Sequence, residues 1–295
     1  MTEARRFVFW EGRPMPAEEA RVPVLDAGFL YGDGIYETMR SYGGHVFALD
    51  RHLARLERSA AGVRLRVPPP GELRGAILAT VQANGSGEGI VRLTITRGVL
   101  ARRLDLSSAA RPSVLVTFDA IDPRDDEVRA AGIRVVTSRY LRFSQHPLAG
   151  IKSTNYQVSL FARNEAREAG AQEVLMRNET GDFVEAAAAN LFLVEGGRVV
   201  TAPLGSGILG GVTREVVQER LAARRIPVAE ETIAPARLAR ADEIFLSGTT
   251  IRVAPVIAVD GRSVGDGRPG PVSRTLLGDY LEAVEADRGR ERTAG

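Results

Sequence analysis

Runs that alternate apolar with polar residues set the frame for this chain: VRLTIT from Val91, SVLVTF from Ser113 and IRVVTS from Ile133 all carry the period of a half-buried strand. Glycines punctuate the pattern at Glu11-Gly12, Gly43-Gly44, Gly181 and Gly196-Gly197, positions that suit tight turns. Short strands joined in this way pair as hairpins, which excludes a purely helical bundle. Phe7 to Trp10, His45 to Ala48, EVLMR, NLFLVEGG, RVVTAP, ADEIFLSGTT and APVIAVDG read as further strands.

Helical periods fall between them. Asp50 is placed to cap a helix running to Ala60, with Leu53, Leu56 and Ala60 as its buried stripe and Arg55 off that stripe. Pro68-Pro69-Pro70 precedes a helix over Glu72 to Ala83. A third spans Asn155 to Ala169, with a face of Val158, Phe161, Ala162 and Ala169 and Gly170 as its stop. A fourth covers Thr213 to Arg225, and a C-terminal helix ends in a frayed tail, ADRGRERTAG. The fold class expected is therefore mixed α/β (α+β).

At 295 residues the chain exceeds one compact core. The segment Asp119 to Glu127, with Pro123 and a run of charge, marks the division: an N-terminal domain over 1–120, a linker over 121–130 and a C-terminal domain over 131–295. The 39 basic and 37 acidic residues leave a net charge of +2, which lacks the strong positive field that nucleic-acid binding asks for. With no cysteine, disulfides, thiolate catalysis and Cys-ligated metals are excluded, and His45, His52 and His146 are too scattered to argue for a metal site. The N-terminal MTEARRFVFWEGRPMP lacks the apolar stretch of a signal peptide and no window suits a bilayer span, so no membrane association and a cytoplasmic location are expected.

Four places could carry chemistry. Lys152, in LAGIKSTNYQ, sits between an apolar segment and a helix, where an ammonium is partly desolvated and the nucleophilic amine favoured; it is the only lysine in the chain. Alone, it reads more readily as a surface lysine at a helix start. Arginine cannot replace an imine-forming lysine, because its guanidinium stays protonated. Glu185 precedes a run of alanines, so its carboxylate faces small side chains, or else simply ends a strand at the surface. SGILGGVTREVV puts a glycine-rich turn before a helix, where backbone N–H groups and the Thr213 hydroxyl suit a phosphate or merely start the helix. SGTT, Ser247 to Thr250, is a loop of donors or an ordinary Ser/Thr turn.

Taken in order, GDGIYET, DRHLARL, IKSTNY, VEAAAANLF, GGVTRE and SGTT resemble the class IV aminotransferases, the fold type IV pyridoxal-phosphate enzymes, over essentially the whole chain. The resemblance implies a smaller N-terminal α/β domain, a larger C-terminal domain with a barrel-like β core that binds pyridoxal 5'-phosphate, and a homodimer or larger assembly. It implies Lys152 as the Schiff-base lysine and catalytic group, and Glu185 as the carboxylate on the pyridine nitrogen. Arg55, Val212, Thr213 and Thr249 match phosphate contacts, and Tyr156 lies near the cofactor. Tyr31, Arg40 and Thr250 match substrate-binding positions, and Arg102 belongs to a loop, GVLARRLDLSS, that closes the partner subunit's pocket.

The activity implied is ping-pong transfer of an amino group between an amino acid, branched-chain or D-, and a 2-oxo acid. The sequence departs from each subgroup. Branched-chain enzymes carry Tyr-x-Arg where this chain has Ile90-Val91-Arg92, and a glycine after the glutamate where this chain has Thr38. D-amino-acid enzymes carry Arg-x-His where it has Arg102-Arg103-Leu104. HPLAGIK and AAANLF also resemble aminodeoxychorismate lyase, an (R)-selective amine transaminase shares the pattern, and a cofactor-free binding protein keeping the fold is a third reading.

Overall fold

The computed structural model describes residues 6–102, 104–106 and 111–294. The chain forms two compact units, one of residues 1–121 with 151–155 and the other of 122–150 with 156–295. No described helix is long and apolar enough to cross a membrane.

The first unit contains β1 (Phe7–Trp10), β2 (Arg13–Pro16), α1 (Ala27–Tyr31), β3 (Gly34–Tyr42), β4 (His45–Val46), α2 (Leu49–Gly62), α3 (Pro70–Ala83), β5 (Gly89–Thr96) and β6 (Ser113–Ala120). Its strands make one antiparallel sheet in the order β2-β1-β6-β5-β3-β4. Alternation along β5 sends Val91, Leu93 and Ile95 to the face covered by α2 and α3, where they meet Ile35, Met39, Leu53, Leu56 and Ile77. Truncating a fully buried member such as Leu56 to alanine costs about 2–5 kcal/mol. Arg92 and Thr94 take the other face and are half-buried.

Helix α2 differs from expectation at both of its polar landmarks. It starts after Ala48, which has a left-handed φ of 53°, and Asp50 lies in the first turn paired with Arg74 rather than capping. Arg55 belongs to the buried face, 6% exposed, because a carboxylate from β3 waits beneath it.

The second unit contains α4 (Pro123–Ala130), β7 (Ile133–Leu141), α5 (Gln157–Glu168), β8 (Glu173–Arg177), β9 (Phe183–Ala186), β10 (Asn190–Glu195), β11 (Arg198–Thr201), α6 (Val212–Ala223), β12 (Val228–Glu230), α7 (Pro235–Leu238), β13 (Glu243–Gly248), β14 (Arg252–Val259), β15 (Arg262–Ser263) and α8 (Pro271–Ala294). Strand β9 pairs with both β8 and β10, so β10-β13-β14-β7-β8-β9 close into a ring. Leu175, Ala186, Leu191, Leu193, Leu246 and Val256 share the apolar core of this barrel-like sheet.

The stretch expected as a linker holds α4, with the Asp122 carboxylate accepting from the Arg124 N–H at its start. The tail expected to fray continues α8. Helix α5 buries Ser159, Ala162 and Ala166 and leaves Val158 and Phe161, expected on its buried face, 46% and 49% exposed. Small side chains let the helix lie close on β7 and β8, and the larger ones fall outside that contact; Phe161 rests against the Tyr140 ring instead.

Candidate active site

In the first unit, Lys152 hangs from the start of β3. Its carbonyl accepts the Tyr36 N–H at 2.9 Å, and the Thr154 N–H donates to the Gly34 carbonyl at 2.9 Å. The Thr154 hydroxyl and Asn155 amide donate to the Gly32 carbonyl at 2.7 and 2.8 Å. Gly32 has φ 68°, and a side chain there would also crowd Asn155. So held, Lys152 places Nζ 4.5 Å from the Tyr36 ring centroid. Arg92, on β5, lays its guanidinium 3.7 Å from the same centroid while its Nε donates to the Thr94 hydroxyl at 3.3 Å. Among the described residues Arg92 has no carboxylate partner. Cation–π contact contributes about 0.5–2 kcal/mol, too little to neutralise a half-buried guanidinium, so this face of the sheet is set to receive an anion.

Glu37, next along β3, points to the opposite face and is fully buried. Arg55 grips it in a fork, Nε to Oε1 at 2.8 Å and Nη2 to Oε2 at 2.6 Å, and His52 Nδ1 lies 2.8 Å from Oε2. Burial alone would raise the Glu37 carboxyl, but the Arg55 charge, with hydrogen bonds from Arg55 and His52, outweighs it and holds the group at about 2. Burial pushes the His52 imidazole down, and Glu37 opposes this only in part. A neutral ring with its proton on Nδ1 satisfies the contact.

In the second unit, the buried Glu185 carboxylate is held from both sides. Arg142 Nε stands 3.0 Å from Oε1, at ion-pair distance though without hydrogen-bond alignment. Oε2 accepts from the Leu209 N–H at 3.1 Å and from Asn190 Nδ2 at 3.4 Å. Leu209 belongs to the turn leading to α6, which Gly211 begins with no side-chain cap, leaving the first-turn N–H groups of Val212 and Thr213 for a ligand; both residues are buried. Tyr156, preceding α5, donates its hydroxyl to the Ala187 carbonyl at 3.1 Å. Thr249 and Thr250 form a half-buried turn, with the Thr250 carbonyl accepting from Arg129 Nη1 at 3.3 Å.

Tyr31, Arg40 and Arg102 are the remaining expected positions. Tyr31 ends α1 with its side chain exposed, and among the described residues it has no hydrogen bond or ring contact with the other candidates. Arg40 is buried, with Nη2 3.1 Å from a Glu88 oxygen and its guanidinium over the Tyr42 ring. Arg102 is exposed, and Arg103, Ser107 and Ser108 of the same loop lie outside the described residues. No cluster of described residues could hold a metal ion. Tyr36, Glu37, His52, Arg92, Arg142 and Asn190 went unassigned from the sequence. Of these, Glu37 carried a signal, since an acid in a strand that sends its neighbours Ile35 and Met39 to the core needs a buried cation.

A lysine able to form an imine, a buried carboxylate suited to a cationic N–H, and an uncapped helix start suited to phosphate are the contacts that a phosphorylated pyridine aldehyde requires. The family model for class IV amino-transferases matches residues 34–259. A putative branched-chain-amino-acid aminotransferase of Methanocaldococcus jannaschii is 33% identical over 271 residues, 91% of this chain and 93% of that one. A D-alanine aminotransferase of Listeria monocytogenes is 34% identical over 271 residues, 90% of this chain and 92% of that one. Among solved structures, the Escherichia coli branched-chain amino acid aminotransferase superposes with a TM-score of 0.90 at 28% identity, covering 95% of each chain. A T.th. branched-chain amino acid aminotransferase with pyridoxamine 5'-phosphate gives 0.87 at 32% identity, covering 97% of this chain and 96% of that one. Class IV aminotransferases use pyridoxal 5'-phosphate, and the residues described above fit it. The chain belongs to the class IV aminotransferases.

Proposed function

We propose that this aminotransferase takes branched-chain amino acids as donors and a 2-oxo acid as acceptor, with Arg92 receiving a substrate carboxylate beside Lys152. The observation that carries the reading is the pair of cations on the Tyr36 ring, of which Arg92 lacks an acidic partner among the described residues. When bound, pyridoxal phosphate supplies an electron sink for the substrate α-carbon. In this reading Lys152 holds the cofactor and its Nζ takes the α-proton, while the Glu185 carboxylate, held between Arg142 and the Leu209 N–H, accepts the ring N–H. Arg55, Val212, Thr213 and Thr249 bind the phosphate, Thr250 contributes to the substrate carboxylate, and Tyr156 lies at the cofactor. One site serves both substrates in turn, so the kinetics are ping-pong. The exposed apolar residues Val24, Leu25, Phe29 and Leu30 support assembly with a second copy of the chain.

A second reading, D-amino-acid transfer, is favoured by Tyr36 standing directly before Glu37 in GDGIYE and by relatives named D-alanine aminotransferase. Absorbance of the yellow holoprotein after separate additions of L-leucine, D-alanine and L-glutamate decides between them. Bleaching by L-leucine is the expected result, and bleaching by D-alanine alone establishes the second reading. If none bleaches it and pyruvate is released from aminodeoxychorismate without a second oxo acid, the protein is a lyase and both readings fall.

A further inference from the structure

We propose that Asn190 is a positioning residue that ties the Glu185 carboxylate to the glycine turn opening α6, and so fixes one spacing between the ring-nitrogen contact and the phosphate contacts. This rests on the reading of Glu185, Val212 and Thr213 as cofactor contacts.

Asn190 opens β10 directly across from Glu185 on β9 and from Ser247 on β13, so these polar side chains form a row on one face of the sheet. It is 4% exposed. Its Nδ2 donates to the Leu209 carbonyl at 2.8 Å and reaches Glu185 Oε2 at 3.4 Å, while the Leu209 N–H donates to that same oxygen at 3.1 Å. Leu209 is thus held at both of its backbone polar groups, its N–H on the carboxylate and its carbonyl on the amide of Asn190. Two residues further on, Gly211 packs its Cα against Asn190 Oδ1, where any Cβ would overlap that oxygen. Gly211 has φ −75° and ψ 132°, a conformation open to every residue, so glycine is needed there for space and not for its backbone freedom. An amide pinned by its nitrogen cannot swing away cheaply, and the turn therefore approaches β10 to one fixed depth.

The consequence is a coupling. Arg142 and the Leu209 N–H keep Glu185 in place when Asn190 is shortened, but the turn that presents Val212 and Thr213 loses one of its two ties to the sheet, the one at the Leu209 carbonyl. Phosphate recognition should suffer more than ring recognition. Aspartate at this position would instead set a second buried carboxylate against Glu185.

The test titrates cofactor-free protein with pyridoxal 5'-phosphate and, separately, with pyridoxal, for wild type, N190A, G211A and the double variant. Losing a buried hydrogen bond of this kind should raise the pyridoxal-phosphate Kd about tenfold in N190A, with the pyridoxal Kd changed less than about threefold. G211A should show a similar loss, and adding it to N190A should cost much less than it does alone, because the clashing oxygen is gone and only the 3.3 Å approach to the Arg214 Cβ remains. Fully additive effects, or an unchanged ratio of the two affinities in N190A, overturn the proposal. Should N190A not fold, G211A with a wild-type circular dichroism spectrum and undiminished pyridoxal-phosphate affinity overturns it equally. A wild-type protein that binds no pyridoxal phosphate defeats the reading of the site itself, a result distinct from any of these.

Discussion

Glu37 shows how a single buried charge ties a candidate cofactor contact to the stability of the fold. Its folded value of about 2 lies below the ordinary 4.5, so the ionised group stabilises the protein above pH 4.5 and that contribution is lost as the pH falls toward 2. Glu37→Gln leaves the Arg55 guanidinium buried without its counter-charge, which should cost about 3–5 kcal/mol at neutral pH. Urea midpoints followed from pH 7 downward should show a gap between wild type and variant that narrows between pH 4.5 and 2; a gap of constant size means Glu37 is not the titrating group. The sequence made Lys152, Glu185 and Arg55 visible through its resemblance to the family, because the imine, ring-nitrogen and phosphate roles that resemblance implies each restrict the residue type. It left His52 and Asn190 dark, because their role is to hold other side chains and many residue types can do that until a partner across the sheet is known, and it marked Glu37 only by its place between the apolar Ile35 and Met39.

At the level of elements, most strands are legible, but β3 and β9, which carry Glu37 and Glu185, are not, and the helix faces are less so. Period-two alternation survives along β5 and through the first three residues of β7 because one face of each strand must meet a core whatever its neighbours are. Helix α5 departs from expectation because its large residues draw the stripe, whereas close packing on β7 and β8 selects Ser159, Ala162 and Ala166. Helix α4 reads as linker from its charge and proline, yet those same charges fasten it to the turn at Thr249 and Thr250. Arg129 donates to the Thr250 carbonyl, and Asp126 lies 3.1 Å from the guanidinium of Arg252, whose φ of 57° shapes the strand start beyond the turn. If that turn meets the substrate carboxylate, Arg129→Ala should raise KM for the amino donor about fivefold, the equivalent of one hydrogen bond, with kcat little changed. Steady-state kinetics with the preferred donor give the answer: an unaltered KM means that α4 does not brace the turn.

For the whole molecule, the apolar ledge before and along α1 is the feature that a single chain leaves unexplained. Leu25 and Phe29 are 63% and 72% exposed, yet the ledge between them is rigidly built. The buried Asp26 carboxylate accepts from the Gly28 N–H at 2.7 Å, the Thr96 hydroxyl at 2.9 Å and the Ser113 hydroxyl at 2.6 Å, and a Cβ on Gly28 would run into Thr96. A fixed apolar surface costs solvation in water and loses little entropy when covered, which is the combination that favours association. The charge balance of +2 over the chain adds little long-range repulsion between copies. Sedimentation velocity at micromolar concentration should therefore find a dimer or larger assembly, and Phe29→Asp should shift it toward monomer by burying a charge at the contact. If Tyr31, two residues along on the same exposed helix, lines the substrate pocket as the resemblance implies, the variant should also lose activity in step with dissociation, recovering it as protein concentration rises. A wild-type chain that sediments as a monomer separates the ledge from assembly, and a monomeric variant with full activity separates assembly from catalysis.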